Sequence, residues 1–325
     1  LMGTAMAKLG ANVVLGGAAG PRLRQHLNPD IHTVPALFWE GSQGQQDCQA
    51  DPVHLILEYQ LGEVWASSET GPSSPTLKSP RANRFILVHD PQNARLVGLE
   101  PLHRFMENSR RILAGGAKTP SEAIRAAGNP DVFVASGLNQ LEALERDVRT
   151  QRLRDVRVVL SQIPKGTPVH LELASMADPQ FIAVMAAKLF PRADSFGLNE
   201  EELAALYVAL GGKFGDAWGV TKTKLTGRVP DPKAVARAID FVLQRADEWA
   251  RASATATAAG HGGVDHDTRF ISRVHFHSLS FHIIAYSNRT GGDIREGNCR
   301  NGALRVEVLV DKCCSSTTTK IGVYR

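Results

Sequence analysis

Apolar positions along this chain recur with two periods, and the alternation between them predicts an α/β protein. Leu1 to Gly10 places apolar residues at helical spacing and stops at a glycine. Ala11–Leu15 reads as a buried strand, Gly16–Pro21 as a tight loop and Arg22–Leu27 as a short helical turn. From 31 to 96 the texture becomes strand-like: His32–Phe38, His54–Gln60 and Asn83–His89 are separated by loops rich in Gly, Gln, Ser and Pro. This predicts a small β-rich lid on the edge of a larger core.

The α/β rhythm returns at 97. Pro101–Leu113 predicts a helix, Asp131–Leu138 a strand running into a turn, and Gln140–Gln151 a helix. Val156–Ile163 reads as a continuation of that helix or a short strand. Val169–Leu173 is the next strand. Asp178-Pro179 supplies an N-cap and a first-turn proline for a helix over Gln180–Phe190. Ser195–Leu198 is a strand and Glu200–Leu210 a helix. Pro232–Trp249 is a further helix, Ala252–His266 a low-complexity loop, Arg273–Phe276 a strand, and Leu279–Tyr286 another apolar segment. After Ser287 the periodicity weakens. Val306–Val310 has strand character, but nothing continues the βα pattern, so 288–325 is expected to be an irregular tail unrelated to the fold.

Composition narrows the function classes. The chain has 325 residues, 43% hydrophobic and 22% charged, with a formal net charge of +4. These values are ordinary for a globular protein. The scattered basic residues point to neither a nucleic-acid nor a membrane partner, and no apolar run reaches the length of a membrane span. Cys48, Cys299, Cys313 and Cys314 fit neither a zinc-site spacing nor a disulfide framework. The first helix lacks a cap, and no signal segment precedes it. The sequence is therefore expected to be a fragment at this end.

Two acidic motifs carry the chemistry. In Pro168-Val169-His170-Leu171-Glu172-Leu173-Ala174-Ser175-Met176, alternation puts His170 and Glu172 on one strand face. Glu172 then stands near the carboxyl end of a parallel strand, where open α/β sheets bind ligands. In Gly197-Leu198-Asn199-Glu200-Glu201-Glu202-Leu203, Asn199 and Glu202 have the spacing of a helix capping box. They also follow a strand one βα unit after Glu172, so two carboxylates on neighbouring strand ends are placed to order waters around Mg²⁺. Glu58 is either the exposed side of a lid strand or an acceptor for polyol hydroxyls. The Gly16–Gly20 turn lacks the Lys-Ser/Thr of a P-loop and the full dinucleotide fingerprint, and reads as a tight turn. His275 and His277 share a strand face near His282. Without a carboxylate or cysteine cluster they read as structural or ligand-contacting histidines rather than a zinc centre.

Taken together, these residues resemble the ADP-dependent glucokinase family, in particular its animal form, within the ribokinase-like superfamily. The resemblance runs through Ala5-Met6-Ala7-Lys8-Leu9-Gly10, Gly17–Pro21, His54–Gln60, Ala82–Ile86 with His89-Asp90, and Ser136-Gly137-Leu138. It continues through Pro168–Met176, Gly197–Leu203 and Arg273–Leu279, covering about 1–287 in order. It implies a three-layer core with a mostly parallel sheet over 1–30 and 97–287, and a lid over 31–96. It also implies transfer of the β-phosphoryl group of ADP to the 6-hydroxyl of glucose, giving AMP and glucose 6-phosphate. Glu172 and Glu202 would belong to the Mg²⁺ site, Asn199 to the substrate site, and Glu58 would hold glucose. A monomer, acting at the endoplasmic reticulum or secreted, is the family expectation. The family's catalytic Gly-x-Gly-Asp is imitated by Thr290-Gly291-Gly292-Asp293, but the residues after Asp293 are not its small, apolar helix start. Asp293 is a weak candidate for the base, and a chain lacking that base is expected to be inactive. The competing readings are a non-catalytic nucleotide- or sugar-binding relative and a His-x-His metal hydrolase.

Overall fold

The computed structural model describes residues 2–16, 20–33, 51, 53–65, 77–79, 83–89, 130–215, 219–227, 229–258, 268–287, 304–312 and 315–322. Helix α1 (Met2–Lys8), strand β1 (Val13–Leu15), helix α2 (Pro21–His26) and strand β2 (Ile31–Thr33) open the chain. β1 and β2 pair in parallel. The pairing joins Ile31–Thr33, expected within the lid, to the unit that begins the chain. Proline starts α2 in its first turn, and the backbone N–H groups of Arg22 and Leu23 donate to Asp51 at 3.1 and 2.9 Å.

Within the expected lid, β3 (Val53–Tyr59) and β6 (Asn83–His89) form an antiparallel pair, as do β4 (Val64–Trp65) and β5 (Leu77–Lys78).

The larger sheet has seven strands, and their spatial order is their order in the chain. They are β7 (Phe133–Ala135), β8 (Val169–Glu172), β9 (Ser195–Leu198), β10 (Arg273–His277), β11 (His282–Ser287), β12 (Leu304–Lys312) and β13 (Ser315–Gly322). β7 to β10 run parallel, and β10 to β13 are antiparallel neighbours. The parallel part is linked by α3 (Arg146–Ser161), α4 (Pro179–Leu189), α5 (Glu200–Ala209), α6 (Lys222–Thr226) and α7 (Pro232–Ala258). α3, α4, α5 and α7 touch in succession and so make one layer.

Register explains which face they cover. Leu171, Phe196 and Val274 are partners across β8, β9 and β10, and all three are fully buried. Phe276, Ile283 and Ala285 extend that face. The opposite face carries His170, Glu172, Ser195, Gly197, His275, His277 and His282. The third layer of the expected core is not among the described residues.

Three expectations change. Gln140–Gln151 is not one helix: a 3-10 segment, Leu138–Ala143, precedes α3. Leu138 and Leu141 are both buried, and a spacing of three matches the 3-10 repeat. α3 then continues unbroken through Val156. α7 runs to Ala258, through part of the expected low-complexity loop. Alanine favours the helix there, and the Thr255 hydroxyl donates to the Arg251 carbonyl at 3.0 Å. The tail expected to be irregular contains β12 and β13, which extend the sheet beyond β11. Period-two alternation in Arg305-Val306-Glu307-Val308 and β-branched Thr317-Thr318-Thr319 suit strands. Among the described residues no helix is long and apolar enough to cross a membrane.

Candidate functional site

Glu172 is the last residue of β8, on the polar face. Its Oε2 lies 3.2 Å from His170 Nε2, and its Oε1 3.4 Å from His277 Nε2. Partial burial pushes the carboxyl up. The hydrogen bonds from His170 and His277, and the charges on those rings, outweigh that and hold it at about 2. The same contact with Glu172 raises His277 above 6.5, against the effect of burial. His170 is fixed in turn by a 2.8 Å contact between its Nδ1 and Ser195 Oγ on β9. His275 Nε2 sits 3.1 Å from His282 Nδ1. Burial, then the charges of His277 and His282, lowers His275 to about 4.

One βα unit later, Asn199 and Glu202 form a complete capping box. Asn199 Oδ1 accepts from the backbone N–H groups of Glu201 and Glu202 at 2.9 and 3.0 Å. Glu202 Oε2 accepts from the Asn199 backbone at 2.8 Å, and Glu202 Oε1 from Asn199 Nδ2 at 2.8 Å. Asn199 is thus engaged at both ends of its amide. Glu202 is 9% exposed. Burial raises its carboxyl to about 7 against the backbone hydrogen bond from Asn199, and the charges of Glu172 and Glu200 add to the rise.

Glu202 therefore feels the charge of Glu172. A divalent cation relieves such repulsion, and oxygen-only donors suit Mg²⁺. All four carboxylate oxygens already accept hydrogen bonds, which leaves lone pairs for metal-bound waters. Among the described residues no group of three or more His, Cys, Asp or Glu is arranged to ligate a metal directly. The residues present fit a hydrated cation held through water by Glu172 and Glu202.

Two clasps hold β8 and β9, one at each end. The Glu142 carboxylate accepts from the backbone N–H of Ala177 at 2.9 Å and from that of Asp178, anchoring the segment that follows Glu172. Asp178 caps α4 and pairs with Arg149 at 3.1 Å. At the other end of β8 and β9, Arg269 is 5% exposed and donates to Asp194 Oδ2 at 2.5 Å. It also donates to the carbonyls of Thr167, Ile163 and Pro164. Asp194 Oδ2 in turn accepts from the Val169 N–H at 2.7 Å.

The structure thus brings together Glu172, Glu202 and Asn199 from the sequence-predicted set. Glu58 is exposed on β3, opposite Arg84 of β6, and no described contact links it to the carboxylates. Asp293 lies outside the described residues. Sequence reasoning did not single out Ser195, Gly197, Glu142 or Arg269. Ser195 and Gly197 became visible only through register, as the partners of His170 and Glu172. Glu142 and Arg269 act over 35 and 75 or more residues, and no local pattern marks them.

Comparison with known proteins gives a consistent picture. Residues 1–300 match the family model described as ADP-specific Phosphofructokinase/Glucokinase conserved region. The chain is 31% identical over 276 residues to an ADP-dependent glucokinase of Bos taurus, covering 84% of this chain and 44% of that protein. It is 27% identical over 288 residues to a probable ADP-dependent glucokinase of Caenorhabditis elegans, covering 88% and 47%. The chain thus spans about half the length of the curated relatives it matches. Among solved structures it is similar to an ADP-dependent kinase in complex with fructose-6-phosphate and ADPβS. The TM-score is 0.53 at 16% identity, over 87% of this chain and 53% of the other, a likeness of fold.

Proposed function

Because this chain belongs to the ADP-specific phosphofructokinase/glucokinase family, we propose that it carries the Mg²⁺–phosphate site of an ADP-dependent glucokinase. The reaction passes the β-phosphoryl group of ADP to the 6-hydroxyl of glucose and leaves AMP and glucose 6-phosphate. The observation that supports this reading is the pair Glu172, at the end of β8, and Glu202, in the first turn of the helix after the neighbouring β9, where the charge of Glu172 raises the Glu202 carboxyl. When bound, Mg²⁺ would neutralise charge on the phosphoryl oxygens.

The remaining work falls to the chain's own residues. His170 and His277 keep Glu172 ionised and aimed. Asn199 holds Glu202 at the first turn of α5, where the helix N-terminus favours negative charge. Glu58, on the lid, would accept hydrogen bonds from sugar hydroxyls. The 31% identity to the bovine ADP-dependent glucokinase favours glucose as the acceptor.

Calorimetric titration of ADP with and without Mg²⁺ tests the site. The expected outcome is binding strengthened by Mg²⁺, with that gain lost in Glu172→Gln and in Glu202→Gln. ADP binding indifferent to Mg²⁺ would overturn the reading. A coupled assay separates enzyme from binding relative: bound ADP and glucose with no glucose 6-phosphate formed would mark a non-catalytic protein.

A further inference from the structure

We propose that Gly197 is a positioning residue whose missing side chain forms the slot in which the Glu172 carboxylate lies. Gly197 is the direct register partner of Glu172 across β8 and β9. A Cβ placed on Gly197 would overlap Glu172 Oε2, and would stand 3.2 Å from both Glu172 Cδ and His170 Nε2. The carboxylate thus leans sideways off its own strand and rests on the bare backbone of the next.

The backbone does not require glycine at this position. Gly197 is not among the glycines with positive φ. A glycine inside a strand has an entropic cost and contributes no side chain to packing. Its neighbours Phe196 and Leu198 are fully buried, so the strand is otherwise tightly specified. What the glycine permits is close approach. Glu172 must reach His170 on one side and His277 on the other, and the space over Gly197 lies between them. β9 is paired on both edges, to β8 and to β10, so it cannot yield to a methyl group. The carboxylate would have to swing away from its histidines.

The role assigned to the slot rests on the reading of Glu172 as a cation-ordering carboxylate, but the slot itself can be tested apart from it. Four proteins make a cycle: the unaltered chain, Gly197→Ala, Glu172→Ala, and both together. Thermal unfolding is expected to show a lowered midpoint for Gly197→Ala alone. In the Glu172→Ala background the same methyl should lower the midpoint far less or not at all, because the overlapping carboxylate is gone and only the edge of the His170 ring remains within 3.2 Å, while alanine suits a strand better than glycine. If Gly197→Ala fails to fold, recovery of folding in the double variant is the same result. Mn²⁺ binding in the presence of ADP, followed by electron paramagnetic resonance, gives the second readout. Gly197→Ala should weaken it about tenfold, as loss of a ligand's supporting contact does, and should add nothing once Glu172 is gone. Equal destabilisation by Gly197→Ala in both backgrounds would overturn the proposal and leave the glycine a role in strand packing alone. Absence of Mn²⁺ binding in the unaltered chain would count against the cation site, while the unfolding cycle still decides the slot.

Discussion

His277 Nε2 lies 3.4 Å from Glu172 Oε1, joining the end of β10 to the end of β8 across the intervening β9. Each partner shifts the other. The carboxyl is held at about 2, and the imidazole is raised above 6.5. The raised imidazole contributes stability that is fully present below 6.5 and lost as pH rises through its folded value. The depressed carboxyl contributes stability present above 4.5 and lost as pH falls through about 2. The pair therefore stabilises most between 4.5 and 6.5. Following the His277 ring protons by NMR should show titration above the ordinary histidine value, and Glu172→Gln should bring it down. An unchanged His277 titration in that variant would refute the coupling.

Glu202 acts in the opposite sense for an acid. Its folded-state value of about 7 exceeds its ordinary 4.5, so the protonated form is the one the fold prefers. Stability falls as pH rises from 4.5 to about 7 and levels off above that. Glu202→Gln keeps a neutral side chain of the same length at every pH. Urea unfolding should find the variant nearly equal to the unaltered protein at pH 5, and more stable by about 2 kcal/mol at pH 8. An equal effect at both pH values would show that Glu202 ionises freely in the fold.

Arg269 binds Asp194 and three carbonyls that precede β8. Arg269→Met keeps much of the side-chain volume but strands Asp194 and those carbonyls. Removing one partner of a buried pair costs about 3 kcal/mol or more. Asp194 keeps its bond to the Val169 N–H, so the expected loss in denaturant unfolding is at the lower end of that range. A loss under about 1 kcal/mol, the value typical of surface pairs, would make the clasp incidental.

Local patterns carried much of this structure into view. Asp178-Pro179 marked the start of α4 because capping is a matter of neighbours two and three residues away. The alternation at His170 and Glu172 assigned both to one face, and the face proved correct. The Asn199–Glu202 box is equally readable, and the structure forms it in full. What stayed hidden depends on register and distance. Gly197 looks like any residue of the strand Ser195–Leu198 until β8 is laid beside β9. Glu142 looks like a surface residue until the 3-10 segment delivers it to Ala177. Val306–Val310 has strand character and falls within β12, but its place in the sheet and all of β13 stay hidden because the βα rhythm ends before them.

The sheet from β7 to β13 never places a later strand between two earlier ones. Every new strand finds its partner already made, one element behind it. Such a sheet can grow by accretion during vectorial synthesis, each strand closing onto the strand that precedes it in the chain. Glu172, Gly197 and His277 sit on its second, third and fourth strands. The carboxylate, its slot and its second histidine would then arrive in that order, the last locking the first in place.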